Sequence, residues 1–290
     1  MVDATPKQSR EFFNEIVSLG PTLVLTGAGI SVSSGIPTYR DETGTWLRSD
    51  PIKHQEFVAN PRQRQRYWGR SLRGWPGVRN ARPTPAHEDL VQLEQSNAVH
   101  SVVTQNVDRL HQRAGADRVI DLHGRIDRVR CLECDDLIHR EALQGYLEKL
   151  NPTIATAELA IRPDGDADLA DSLVESIVVP DCASCGGTLM PDVVFFGGSI
   201  PGSRVERCKQ ALADAASLLV IGSSLQVYSG YRFCHWAERM EKPIFIVNPG
   251  NTRADSMARK LLPASADQAT QTFLEVHSLK NHGRVLGTFA

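Results

Sequence analysis

The chain has 290 residues, enough for one large domain or for a large and a small one. With 41% hydrophobic residues, 23% charged residues and a net charge of −2, it has the composition of a soluble globular protein and no global basic field for nucleic acid or an anionic membrane. No apolar run approaches the roughly 20 residues that span a bilayer. The opening stretch MVDATPKQSREFFNEIV has an early acid and no hydrophobic segment, so no leader is expected and the default location is cytoplasmic.

Residues 8–19 place Phe12, Phe13, Ile16 and Leu19 on one helical face, and Gly20-Pro21 closes it. Thr22-Leu23-Val24-Leu25 reads as a buried strand. Gly27-Ala28-Gly29 follows, and Ile30-Ser31-Val32-Ser33-Ser34 opens a helix whose free N–H groups suit an anion. Val32 stands where the third glycine of a dinucleotide fingerprint belongs, so a phosphate cradle and a space-saving turn both stay open on this stretch alone. Gly35-Ile36-Pro37 breaks the helix early and begins an irregular segment with Tyr39-Arg40-Asp41. Residues 42–61 are polar and read as a loop around Trp46, the start of a helical and loop lid over 42–82. Residues 61–75 carry Arg62, Arg64, Arg66, Arg70 and Arg73 and read as a solvated helix face. A sharper reading pairs Tyr67 with Arg70, three apart on one face, to take an acidic group on a substrate.

Thr84-Pro85-Ala86-His87 is a helix start in which His87 is structural. Residues 99–104 form a strand that runs into Gln105-Asn106-Val107-Asp108, and residues 119–122 form another that ends in His123-Gly124. Cys131 and Cys134 open an insert with a helix over 140–150 and a polar tract from 151 on; Cys182 and Cys185 close it. The sheet is then expected to resume with a strand at Asp192-Val193-Val194-Phe195-Phe196-Gly197. Strands at 217–221 and 243–247 lead into Gly222-Ser223-Ser224 and Asn248-Pro249-Gly250, with helices at 203–215 and 230–241. Alternating short strands and helices imply an α/β, Rossmann-like, doubly wound parallel sheet over 1–125 and 188–290. A small zinc-binding domain over 126–187 is inserted in it.

Two Cys-x-x-Cys pairs supply four thiolates, which suits tetrahedral zinc with no open position and hence a structural metal. The separation over 135–181 is long for a zinc ribbon, and a redox role for either pair is the rival. Cys208 and Cys234 lie in helix-like stretches and read as core residues. A parallel sheet gathers its strand ends on one edge, which would bring together Gly27, Gln105, Asn106, Asp108, His123, Ser223 and Asn248. His123 is the natural general base there; the alternative is a satisfied structural side chain.

These motifs, in this order, resemble the sirtuins, NAD-dependent protein deacylases: Gly27-Ala28-Gly29-Ile30-Ser31, Gly35-Ile36-Pro37-Thr38-Tyr39-Arg40, Thr104-Gln105-Asn106-Val107-Asp108, His123-Gly124, both cysteine pairs, Phe195-Phe196-Gly197, Gly222-Ser223-Ser224-Leu225 and Val247-Asn248. Residues 64–68, Gly74-Trp75-Pro76, the long insert and residues 224–233 resemble class II, the sirtuin-4-like group. The resemblance implies NAD as co-substrate and one structural zinc. Gly27, Ala28, Gly29, Ile30, Pro37, Tyr39 and Arg40 would serve the diphosphate and nicotinamide ribose, and Gln105, Asn106, Val107 and Asp108 the ribose and carboxamide. Gly222, Ser223, Ser224, Asn248, Pro249, Gly250 and Ala266 would take the adenosine half. Phe196, Gly197, Leu225 and Val227 would flank an extended peptide bearing the acyl-lysine. His123, Asn106 and Asp108 would be catalytic: the acyl oxygen displaces nicotinamide, His123 takes a proton from a ribose hydroxyl, and water releases the amine and an O-acyl-ADP-ribose.

Thr38 departs from the Asp of many sirtuins and, with Tyr67 and Arg70, resembles members that prefer acidic acyl groups. ADP-ribosyl transfer and an NAD-binding scaffold with little turnover stay open as alternatives. A nicotinamide dehydrogenase is disfavoured by the early break at Gly35. A monomer acting on acylated proteins, without nucleic acid or membrane, is the expected state.

Overall fold

The structure is a computed structural model and describes residues 4–38, 52–156 and 171–286. Tyr39, Arg40, Trp46 and most of the polar tract of the insert therefore lie outside the described residues. Nine strands are described: β1 (Thr22–Thr26), β2 (Val99–Thr104), β3 (Val119–Asp121), β4 (Gly124–Cys131), β5 (Leu137–His139), β6 (Leu189–Val193), β7 (Ser217–Ile221), β8 (Ile244–Val247) and β9 (Lys260–Leu262). Six of them form one sheet in the order β3-β2-β1-β7-β8-β9, with every pairing parallel.

Every residue of β1, β7 and β8 is buried, as a parallel sheet covered on both faces requires. Side chains alternate between the two faces. Val24 and Phe245 meet Phe12, Phe13, Leu90 and Phe273 from the helices Pro6–Leu19, Pro85–Gln95 and Ala266–Leu286. Leu23 and Leu25 meet Leu212 and Phe233 from Gly202–Asp214 and Tyr228–Arg239. The first helix starts on a reciprocal cap between Thr5 and Gln8. It buries Phe12, Phe13 and Ile16, but Leu19, its last residue before the Gly20 turn, is 39% exposed and does not join that face.

The expected strand after the insert exists in part, and in another sheet. β6 covers only Leu189–Val193 and pairs antiparallel with β4, which also pairs antiparallel with β5. The small sheet thus has the order β5-β4-β6.

The helix Pro61–Asn80 also differs from expectation: Tyr67, Trp68, Arg70, Leu72 and Trp75 are buried in it, so the stretch is no solvated face. Trp68 enters the core of the small module and its Nε1 donates to the Leu189 carbonyl at 3.2 Å. Arg140, fully buried, lies over the rings of Trp68 and Trp75 at 5.4 and 5.5 Å. Among the described residues, no helix is long and apolar enough to cross a membrane.

Candidate active site

The strand order reverses direction between β1 and β7, because the chain leaves β1 to one side for β2 and returns on the other. Ligands of open α/β sheets bind at such a switch point, beyond the carboxyl ends of the strands. Thr26, the last residue of β1, is level with Thr104 on one side and Ile221 on the other, so three loops leave the sheet together. They open onto a cavity of about 1040 Å³.

The glycines there serve the approach of two loops to each other. A Cβ on Gly27 would lie 2.8 Å from the Gly222 oxygen, and one on Gly29 would lie 2.7 Å from Gly222 Cα. Gly29 N–H donates to Gly222 O at 2.9 Å, and Gly222 itself needs a left-handed φ of +62°. The space-saving turn is thus realised, and it still leaves Gly27, Ala28 and Gly29 on the cavity wall. Residues Ala28–Ser34 form a short 3-10 helix that stops at Gly35, where φ is +79°.

Gln105 crosses the switch point: its Nε2 donates to the Thr26 carbonyl at 3.2 Å and to Ser223 Oγ at 2.8 Å. Asn106 Nδ2 donates to Gly27 O and to Ser31 Oγ, both at 3.1 Å. Ser31 Oγ donates in turn to Asp108 Oδ2 at 2.8 Å, and Asp108 Oδ1 accepts the Leu110 N–H at 2.9 Å. Burial pushes the Asp108 carboxyl up from its ordinary value, while the Leu110 N–H and Ser31 hold it back.

His123 follows β3. Its Nδ1 lies 2.9 Å from the Gln105 carbonyl and its Nε2 lies 2.7 Å from Ser229 Oγ. A carbonyl only accepts, so Nδ1 carries the proton of the neutral ring and Nε2 accepts from the Ser229 hydroxyl. Burial pushes the imidazole down to about 4; the Gln105 carbonyl opposes this, and Arg204 and Arg232 add to it. At neutral pH the ring is therefore uncharged with its lone pair on Nε2.

Val107, Ser224, Pro249, Gly250, Ala266, Phe196, Gly197, Val227 and Tyr67 also line the cavity. So does Asn248, whose Nδ2 donates to Gly250 O at 2.7 Å. Leu225 touches the cavity too, but it is 1% exposed, sits at a φ of +57° and belongs to the core beneath. Ile30 is buried in the core and Pro37 is absent from the wall. Arg70 is 4% exposed and off the wall, although Tyr67 is on it. Sequence reasoning gave no role to Ser31, Ser229, Arg232 or Asp267, all wall residues. Asp267 accepts Ser33 Oγ at 2.7 Å and the Ala86 N–H at 3.0 Å. Ser31, Ser229 and Arg232 sit inside motifs that the sequence already marks; nothing in residue type alone singles out Asp267.

In the small module the four thiol sulfurs of Cys131, Cys134, Cys182 and Cys185 lie within 4.8 Å of one another, with Cys131–Cys185 at 3.5 Å and Cys134–Cys182 at 3.8 Å. Thiolates about 2.3 Å from a tetrahedral ion stand roughly 3.8 Å apart, so the donor set fits zinc. These separations are far too long for a disulfide.

The Sir2 family model matches residues 27–229. The chain belongs to the Sir2 family. It is 50% identical over 246 residues to a protein named NAD-dependent protein deacetylase from Xanthomonas axonopodis pv. citri (strain 306), covering 85% of this chain and 84% of that protein. It is 46% identical over 256 residues to the Bos taurus mitochondrial sirtuin-4, named an NAD-dependent protein lipoamidase, covering 87% of this chain and 81% of that one. Among solved structures, this Sir2-family chain is similar to one titled Sir2-p53 peptide-NAD+, with a TM-score of 0.74 and 27% identity over 92% of this chain and 98% of that one.

Proposed function

We propose that this chain is an NAD-dependent protein-lysine deacylase, and that His123 is its general base. The observation that carries the reading is the His123 ring: Nδ1 fixed by the Gln105 carbonyl, Nε2 unprotonated and turned to a hydroxyl at 2.7 Å. When bound, NAD supplies an electrophilic ribose carbon with nicotinamide as its leaving group, so that the acyl group ends on ADP-ribose. His123 takes a proton from a hydroxyl brought to the place that Ser229 Oγ holds here, a contribution worth roughly 10²–10⁴-fold. Asn106 and Asp108, tied through Ser31, form a fixed amide and carboxyl pair for the carboxamide. Gly27, Gly29 and Ser223 bring backbone close enough to hold phosphates, and Asn248 and Ala266 flank the adenosine half. The four cysteines would hold a zinc ion that clamps the small module and takes no part in the chemistry.

The acyl group is the finer part of the proposal. Tyr67 lies on the wall and Arg70, three residues on in the same helix, is buried off it; we assign this pair to a chain longer or more acidic than acetyl. The deciding experiment gives the enzyme one lysine peptide with acetyl, lipoyl or succinyl groups, with and without NAD, and follows products by mass spectrometry. NAD-dependent loss of an acyl group with a matching O-acyl-ADP-ribose, and none from His123→Ala of unchanged fold and zinc content, is the expected result. Normal turnover by His123→Ala removes the base assignment. Arg70→Met should cut succinyl turnover more than acetyl; equal cuts end the acidic-acyl reading. No product from any peptide, with NAD still bound, moves the assignment to ADP-ribosyl transfer or a scaffold.

A further inference from the structure

Several arginines elsewhere in the described residues have acids. Arg109 pairs with Asp121, Arg125 with Asp127 at 2.6 Å, and Arg128 with Asp192. Arg232 is the contrast. It lines the cavity one helical turn beyond Ser229, held between the rings of Tyr228 and Trp236 with centroids at 5.9 and 5.6 Å. Its Nε is buried without a hydrogen-bond partner, and no carboxylate of the described residues pairs with it.

Arg253 stands by the same wall. Its backbone N–H donates to Ser224 O at 2.9 Å, its Nη1 donates to Gln226 O at 3.4 Å, and its guanidinium lies 4.2 Å from the centroid of Tyr231. Arg253 is exposed, so this cationic edge runs from the cavity beside His123 out to the open surface along residues 224–232. An arginine held flat by aromatic rings and lacking an acid is set to take a planar carboxylate in two parallel hydrogen bonds.

We propose that Arg232 reads a carboxylate on the substrate polypeptide close to the acylated lysine. The inference rests on the reading that an acyl-lysine polypeptide enters this cavity. The source is the polypeptide, because the cationic edge leads outward to Arg253, whereas Tyr67 and Phe195 belong to a separate aromatic cluster on the small-module side.

The test uses acetyl-lysine peptides that differ only by Glu or Gln at each of the two positions on either side of the lysine. Affinity is measured by fluorescence anisotropy in the presence of ADP-ribose, and turnover is measured with NAD. At one position the Glu peptide should bind about tenfold tighter, the size of one charge-assisted pair. Arg232→Gln should bring that ratio to one, and Arg232→Lys should keep part of it. Equal binding of Glu and Gln peptides at every position overturns the proposal, as does a preference that survives in Arg232→Gln. A defect of Arg232→Gln confined to succinyl-lysine peptides also overturns it, by placing the carboxylate on the acyl chain. An equal loss on every peptide, with a shifted acid limb of turnover, overturns it in favour of an effect through His123. A charge preference in binding without turnover of any peptide sinks the deacylase reading and leaves this one standing.

Discussion

The parallel sheet and the small module are stabilised in opposite ways. β1, β7 and β8 are buried along their whole length and held between two apolar layers. The module's sheet has three strands, and β5 has no fully buried residue. A sheet that small buries little, so the module leans on a buried tryptophan, an arginine between two rings and a cluster of four sulfurs. The sheet side carries the polar wall of the cavity and the module side its aromatic wall. Loss of the module should therefore spare the first and spoil the second.

The largest expected effect comes from the sulfurs. Structural zinc sites bind with an apparent free energy on the order of 10 kcal/mol, much of it folding energy. Zinc removal by a strong chelator, or Cys182→Ser, should melt the module and abolish deacylation while adenosine binding at the sheet edge persists, read by isothermal titration with ADP-ribose. Loss of both together would show that the two regions fold as one unit.

A smaller effect belongs to the sheet region. His87 is fully buried beside His111, with ring centroids 4.6 Å apart, and burial pushes its imidazole down to about 4 against a weak pull from Asp267. Burial also pushes His111 well down. Between about pH 6.5 and 4 the unfolded chain takes up a proton at His87 that the folded chain refuses. Stability is thus full above the unfolded value and falls as the pH drops, by up to about 3 kcal/mol for this residue. The unfolding midpoint should fall from about pH 7 to 4.5, and His87→Asn should flatten the slope; the same slope in both proteins would rule out this origin.

An effect of similar size lies at the seam of the sheet, and the smallest one at Gly35. Gly222→Ala places a Cβ 2.7 Å from the Ile30 nitrogen at a φ of +62°, whereas Gly35→Ala, at a φ of +79°, meets nothing within 4 Å. Denaturant unfolding should show a loss of about 3 kcal/mol for the first and about 1 kcal/mol for the second. Equal losses would mean that backbone conformation alone matters and that the loops can part.

The sheet was legible because its strands are short apolar runs that lead into glycine and polar residues, as Thr22 to Thr26 leads into Gly27 and Ser217 to Ile221 into Gly222-Ser223. Both cysteine pairs were legible from spacing. Strand propensity carries no information on pairing partner, which is why the strand expected at 192–197 is easily given to the wrong sheet, whereas the strand found covers Leu189–Val193 and pairs with β4. In the helix Pro61–Asn80 arginines surround Trp68 and hide its burial. The helix Ala266–Leu286 is hidden differently, because threonine and histidine dilute the stripe of Ala269, Phe273 and Val276. The strand-end residues could be named in advance because a parallel sheet fixes where they meet. Ser229 and Arg232 belong to a helix whose rotation against His123 no periodicity specifies.

The bond between Ser229 and His123 makes the serine a placeholder. An incoming hydroxyl that replaces Ser229 Oγ exchanges one O–H···N bond for another of the same kind. Under the proposed role of His123 as base, the ring gains no new contact from the exchange and need not turn to meet the substrate. Orientation is settled at folding, and the binding step has only to evict one side-chain hydroxyl.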